Sequence, residues 1–167
     1  MRYVMRQKLF SLADNFTIKD ENERDAYMVK GKVFSFGDKL SFQDMSGNEL
    51  VFIRQKLLSW GPTYELHQAS GVDTVVKKNL WTFIRDRFTV DIGADGPTPN
   101  DLEIQGDFWE HEYTFSRGGQ QIAGVSKRWF SWADTYGVDI ADGEDDVLIL
   151  ACTVVVDLCL LKQKRND

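Results

Sequence analysis

Histidine and cysteine are scarce in this chain of 167 residues, with two of each. Cys152 and Cys159 fit a reducing compartment rather than a disulfide scaffold. No Cys/His ladder and no zincin spacing marks a metal site. An excess of basic charge is also missing: the net charge is −6 and the isoelectric point near 5.0. That balance argues against a general nucleic-acid binder but leaves room for a local basic patch, because totals and patches are independent. No apolar run reaches the roughly 20 residues that a bilayer-spanning helix needs. No signal-peptide pattern opens the chain either, since Arg2, Arg6 and Lys8 interrupt its first ten residues. These absences predict a cytoplasmic protein. Phosphate loops are lacking too: neither Gly118-Gly119 nor the stretch from Gly93 to Gly96 is followed by a helix with Lys and Ser/Thr, and both read as turns.

What is present repeats. Gln7-Lys8-Leu9-Phe10-Ser11-Leu12, Gln55-Lys56-Leu57-Leu58-Ser59-Trp60, Lys78-Asn79-Leu80-Trp81-Thr82-Phe83 and Lys127-Arg128-Trp129-Phe130-Ser131-Trp132 share one pattern. Each precedes an aromatic that opens a new alternating run: Phe16, Tyr64, Phe88 and Tyr136. A longer period lies above this one. Phe16 and Phe88, Gly47 and Gly119, Ser59 and Ser131, and Tyr64 and Tyr136 are each 72 positions apart. Such order predicts a tandem duplication with pseudo-repeats at about 4–66 and 75–140 inside one domain spanning 1–167.

Up to residue 140 the pattern is that of strands. Leu40-Ser41-Phe42, Leu102-Glu103-Ile104 and Tyr113-Thr114-Phe115 alternate apolar and polar. Turn chemistry separates such runs at Asp44 to Asn48, Ala69 to Gly71, Gly93 to Pro99 and Arg117 to Gly119. About a dozen short strands predict an all-β barrel or sandwich, which removes exposed edges. Beyond Asp145-Asp146, the residues from Val147 to Leu161 are apolar except for Thr153 and Asp157. A helix apolar nearly all round belongs inside something, and a barrel of a dozen strands has a lumen too wide for its own side chains to fill. A plug helix at about 145–161 meets both needs, although Val154-Val155-Val156 also suits a buried strand.

Met5 to Ser11, Ile53 to Trp60, and Lys127 to Trp132 followed by Tyr136-Gly137-Val138-Asp139 resemble the LURP-one-related family, a branch of the tubby C-terminal-like superfamily that also contains the phospholipid scramblases. The resemblance covers essentially the whole chain. It implies a closed antiparallel barrel of about twelve strands around a hydrophobic C-terminal helix, mostly β, in agreement with the pattern above. For function it implies a lipid connection: tubby-type domains bind phosphoinositide headgroups, and scramblases act on lipids with calcium. No family site carries over residue by residue.

The residues themselves offer several candidates. Asp139, Asp142, Glu144, Asp145 and Asp146 form an oxygen-rich cluster that suits Ca²⁺ and equally suits capping of a helix N-terminus; its spacing is not that of an EF-hand. No other cofactor is expected. Arg54, Lys56, Lys77, Lys78, Lys127 and Arg128 mark the repeats and are candidates for an anionic or lipid-headgroup site, or simply solvated faces. His111, between Glu110 and Glu112, is expected at the surface, and His67 on a strand; neither sits in a catalytic motif. Cys152 and Cys159 fall on one helix face too far apart for a disulfide and are expected to be buried and inert. Together these features predict a non-enzymatic binding module with a membrane-surface or signalling role, peripheral at the membrane, with an anionic phospholipid or a protein as partner and no nucleic acid or transmembrane span. The alternatives are a small-molecule carrier or enzyme using the barrel interior or mouth, and a scramblase-like or helix-anchored membrane protein with Lys162, Lys164 and Arg165 as the helix flank.

Overall fold

The computed structural model of the protein describes residues 1–6, 15–31, 37–80, 86–130 and 134–166. Much of the repeated motif, including Lys8, Ser11, Thr82 and the Ser131 that pairs with Ser59 in sequence, lies outside the described residues. Twelve strands run in chain order: β1 (Arg2–Arg6), β2 (Phe16–Asp20), β3 (Asp25–Gly31), β4 (Lys39–Asp44), β5 (Glu49–Gln55), β6 (Thr63–Gln68), β7 (Asp73–Asn79), β8 (Arg87–Ile92), β9 (Leu102–Asp107), β10 (Glu112–Arg117), β11 (Gln120–Ser126) and β12 (Thr135–Ile140). One helix, α1 (Asp146–Asn166), follows.

Each strand pairs antiparallel with the next, and β1 pairs with β12, so the sheet is a closed up-and-down barrel. The closing ladder runs from Arg2 opposite Asp139 to Arg6 opposite Thr135, and the Met1 ammonium reaches the Ile140 carbonyl at 2.7 Å. The alternation read from sequence sorts side chains to two faces: Tyr3 and Met5, Phe16 and Ile18, Tyr113 and Phe115 point inward and are buried. Turn residues act as expected. Asp44 accepts the Ser46 and Asn48 amides, each at 2.9 Å, closing β4 onto β5, and Asp101 accepts the amides of Ile92 and Thr98, tying down the longer connection before β9.

The lumen is filled by α1. Every residue from Leu148 to Leu160 is buried, including Leu148, Ile149, Cys152, Val155, Val156 and Cys159. Val154-Val155-Val156 is helical, because a strand inside a closed barrel would leave its own backbone groups unpaired, whereas a helix satisfies them internally. Thr153 is accommodated by donating to the Ile149 carbonyl at 2.9 Å. The helix outlasts the apolar stretch, which ends at Leu161, continuing to Asn166 on Lys, Gln and Arg, all good helix formers. At 1.5 Å per residue it is ~31 Å long, so its last turn stands out of the barrel. Among the described residues, no helix is long and apolar enough to cross a membrane.

Matched sequence positions occupy matched places six strands apart. Phe16 opens β2 and Phe88 lies in β8; Tyr64 lies in β6 and Tyr136 in β12, and all four are buried.

Plugging the lumen offsets a loss larger than the ~5–15 kcal/mol net stability of a domain. A chain ending at Asp146 is therefore expected to show no cooperative thermal transition in calorimetry, where the full chain shows one.

Candidate functional site

A strict meander sorts its connections by parity. Those after even-numbered strands lie at one end with the N-terminus of α1, and those after odd-numbered strands lie at the other with its C-terminus. Charge follows the same division. The end at the helix N-terminus carries Asp20, Glu21, Glu23, Asp44, Asp95, Asp142 and Glu144 against few cations, of which Arg24 and Arg117 are examples. At the opposite end cations outnumber acids: Arg6, Lys39, Arg54, Lys56, Lys77, Lys78, Lys127 and Arg128 ring the rim, and Lys162, Lys164 and Arg165 of α1 emerge at its centre.

All six basic candidates from the repeats thus lie at one end, but they are not equivalent. Arg54 is hydrogen-bonded to Glu65, which holds the Glu65 carboxyl below the usual carboxylate range. Arg128 lies 3.6 Å from Glu112. Lys78 turns inward, 6 % exposed, and its ammonium contacts Asp86 at 3.1 Å and Gln163 of α1 at 3.0 Å. It is a latch on the helix rather than a surface charge. Lys56, Lys77 and Lys127 have no ion pair among the described residues. Only the alternative of a helix-anchored protein made Lys162, Lys164 and Arg165 a membrane flank; in the structure the apolar run before them is the plug, as the main reading expected. Lys162 itself is held by Gln55 and by Asp38 at 2.8 Å.

The same end exposes large apolar side chains that composition did not single out: Leu57, Leu58, Trp60, Leu80, Trp109 and Trp129. The connections carrying them are packed on one another. A Cβ on Gly37 would stand 2.8 Å from the Leu57 side chain, and one on Gly61 would stand 2.8 Å from Leu80. Between β11 and β12 the chain folds back over the outer wall. There Trp129 and Phe130 lie on Gly137, where a Cβ would come within 2.6 Å and 3.0 Å of their rings. Arg2 stacks on Trp129, 4.4 Å from the ring centroid, while its guanidinium holds Asp139 at 2.8 Å. Beside this flap a groove of about 960 Å³ runs along the wall, lined by Arg6, Thr17, Lys19 and Thr135 among others.

The acidic candidates are dispersed among partners. Asp139 pairs with Arg2; Glu144 accepts two bonds from Arg117 Nη1 at 2.7 and 2.8 Å; Asp146 accepts the Tyr3 hydroxyl at 2.6 Å. Asp145 caps α1 by accepting the Leu148 amide at 3.0 Å, and Asp142 is exposed in the preceding turn. Among the described residues no group of three His, Cys, Asp or Glu is placed to hold a metal ion.

His111 corrects an expectation. Flanked by two glutamates it reads as a surface residue, yet it is 0 % exposed, with Nε2 3.0 Å from Asp157 Oδ1 in the lumen. Tyr136 donates its hydroxyl to the other oxygen of Asp157 and lies against the His111 ring, with centroids 4.5 Å apart. The buried carboxylate of the plug is thereby satisfied from the β9–β10 connection and from β12, both in the second half. In the first half Tyr64 donates to Asp38 at 2.6 Å, the carboxylate that also holds Lys162. His67 is on β6 as expected, paired with Asp73 at 2.8 Å on the outer wall. Both thiols are sealed in the core: burial pushes Cys159 up to about 12 and Cys152 higher still.

The chain is similar to known proteins in sequence and in fold. The family model described as LURP-one-related matches residues 1–157. The uncharacterised protein YxjI of Bacillus subtilis strain 168 is 37% identical over 163 residues, covering 98% of this chain and 96% of that protein. The X-ray structure of a protein from Arabidopsis thaliana superposes with a TM-score of 0.65 over 93% of this chain and 87% of that one, at 18% identity, which is a likeness of fold.

Two predictions rest on the lumen. Asp157→Ala strips His111 of its carboxylate and leaves the Tyr136 hydroxyl only the Met5 sulfur at 3.7 Å, so it is expected to cost about 3–5 kcal/mol, against about 1–3 for Tyr136→Phe, which leaves Asp157 its histidine; urea titrations compare the two. Because burial raises the thiols above their ordinary value, the neutral form favours the folded state. That contribution is complete below the ordinary value of 9.0 and is lost as pH rises toward about 12. Accordingly, a thiol-reactive dye at pH 8 is expected to label neither cysteine in the native protein and both in denaturant, and the urea midpoint is expected to fall as pH rises above 9.

Proposed function

The chain belongs to the LURP-one-related family, and from that premise we propose that it is a non-enzymatic binding module whose basic end docks on an anionic membrane surface. The observation that carries this is the segregation of charge along the barrel axis in a protein of net charge −6. Among the described residues Lys56, Lys77 and Lys127 have no ion pair on this rim, and α1 adds Lys164 and Arg165 in its last turn. Each cation near an anionic surface contributes ~1 kcal/mol, falling off within a Debye length, so a cluster at one end binds where the same charges spread round the wall would not. In this reading the protein is peripheral, on the cytoplasmic face. The family resemblance points in the same direction by analogy alone. The matched places of Tyr64 and Tyr136 support a duplicated chain, 4–66 and 75–140, that presents its motif connections at a single end.

The wall groove beside Trp129 is lined by cations and acids alike, Arg2, Arg6 and Lys19 against Glu21, Glu23 and Asp139, and so favours no anionic ligand. A carrier using the lumen has no support, since α1 occupies that volume.

Co-sedimentation with phosphatidylcholine vesicles, with and without phosphatidylserine, tests the main reading. The wild type is expected to pellet only with phosphatidylserine, and more strongly at low salt. Lys56→Glu/Lys77→Glu/Lys127→Glu is expected to weaken partitioning roughly 100-fold or more, while Glu21→Gln/Glu23→Gln at the far end leaves it unchanged. No lipid-dependent pelleting, or equal pelleting by all three proteins, refutes the proposal.

A further inference from the structure

We propose that the β5–β6 connection, 56–62, is the part of that basic end which enters the membrane, with Leu58 and Trp60 seated in the interface and the lysines around them at headgroup level. This rests on the docking reading above and adds to it a defined insertion element.

The first observation is exposure without looseness. Leu58 is 95 % and Trp60 85 % exposed, yet the connection is a built turn. The Ser59 hydroxyl lies 3.0 Å from both the Lys56 and the Gly61 carbonyls. The Lys56 amide donates to Thr63 at 2.9 Å and the Lys78 amide to Pro62 at 2.9 Å. Gly61 takes φ +81, which favours glycine, and Leu80 closes against it. Two large apolar side chains are therefore held out in water by a fixed backbone.

The second observation is that the sister connection lays its own against the barrel wall. Seventy-two positions on, Trp129 and Phe130 stand where this connection has Leu57 and Leu58, and they fold down onto Gly137. The corresponding place in β6 is Glu65, whose side chain is engaged by Arg54. A side chain there blocks the fold-back that a glycine permits, so the same motif yields a flap in one half and a projecting tip in the other.

The third is charge. Lys56 opens the tip, and Lys77, exposed, lies directly across the ladder from Thr63, which closes it. An apolar tip bearing an indole and flanked by Lys56 and Lys77 matches an anionic bilayer interface, where Trp sits at headgroup level and lysine heads reach the phosphates. A basic rim is what an acidic bilayer selects over a neutral apolar surface.

The test uses Leu58→Cys carrying an environment-sensitive fluorophore, which labels selectively because both native thiols are buried. With phosphatidylcholine–phosphatidylserine vesicles the probe is expected to shift to the blue and to be quenched by lipids spin-labelled at shallow acyl depth. A probe at Met45→Cys, at the acidic end, is expected to do neither. Leu58→Ser/Trp60→Ser should keep the wild-type melting temperature and its low-salt pelleting while losing roughly 100-fold in binding at physiological salt. If the wild type pellets with phosphatidylserine but the Leu58 probe stays aqueous and the double variant binds as wild type, insertion is overturned and electrostatic docking stands. If the wild type does not pellet at all, the docking reading falls and the insertion with it.

Discussion

A closed sheet of twelve strands encloses more space than its own inward side chains can fill, and the rest of this molecule is arranged around that deficit. The inward set is already large, with Tyr64, Tyr113, Tyr136, Phe42, Phe88 and Phe115 all fully buried. The remaining volume takes a helix about 10–12 Å across, and α1 supplies it with Val, Leu, Ile, Ala and Cys on every side. A helix apolar all round has no solvent face by which to orient itself. Orientation comes from its polar exceptions: Asp157 fixes its rotation through His111 and Tyr136, Asp145 fixes its start, and Lys162 and Gln163 fix its exit through Asp38 and Lys78. Since the lumen is occupied, interaction with anything else falls to the outer wall and the two ends.

The fold was legible because two periodicities differ so plainly. Alternation marks strands, Asp- and Gly-rich turns mark their ends, and one apolar run too short to span a bilayer fits best inside the barrel. The end of the helix was less legible, since the apolar stretch stops at Leu161 while the backbone continues wherever helix formers allow. His111 was misread on its neighbours' charge, although its phase held the answer: it lies two and four positions before Tyr113 and Phe115, the inward residues of β10. Lys78 is likewise in phase with Thr74 and Val76, the inward side of β7. Parity is stronger evidence than polarity when a long side chain can reach a partner at the rim.

The candidate site was legible in part. The basic residues were found, and their collection at one end follows from the meander once every odd connection is assigned to one rim. Which cations stay free could not be read, because Arg54, Lys78 and Arg128 meet acids through cross-strand or tertiary contact. The acidic cluster was similarly opaque: Asp139 meets Arg2 only because the first strand closes the barrel on the last, and Glu144 meets Arg117 from β10. Nor does any single motif copy reveal that Gly137 or Glu65, several residues downstream, decides whether its apolar pair folds down or projects.

Net negative charge and a membrane-facing basic end are compatible on length alone. Strands of six or so residues rising about 3.3 Å each separate the two rims by roughly 20 Å, while the Debye length in physiological salt is about 8 Å. A surface at the basic rim therefore experiences Lys56, Lys77 and Lys127 at close range and the far acids only after strong screening. At low ionic strength the screening length grows past the height of the barrel, and the acidic end then acts at a distance. Its field opposes approach in the wrong orientation and turns the molecule basic end first. The acids at that end are occupied besides with the fold itself, in capping α1, closing turns and holding Arg117, so the charge that orients the protein at a surface is the same charge that terminates its strands and starts its helix.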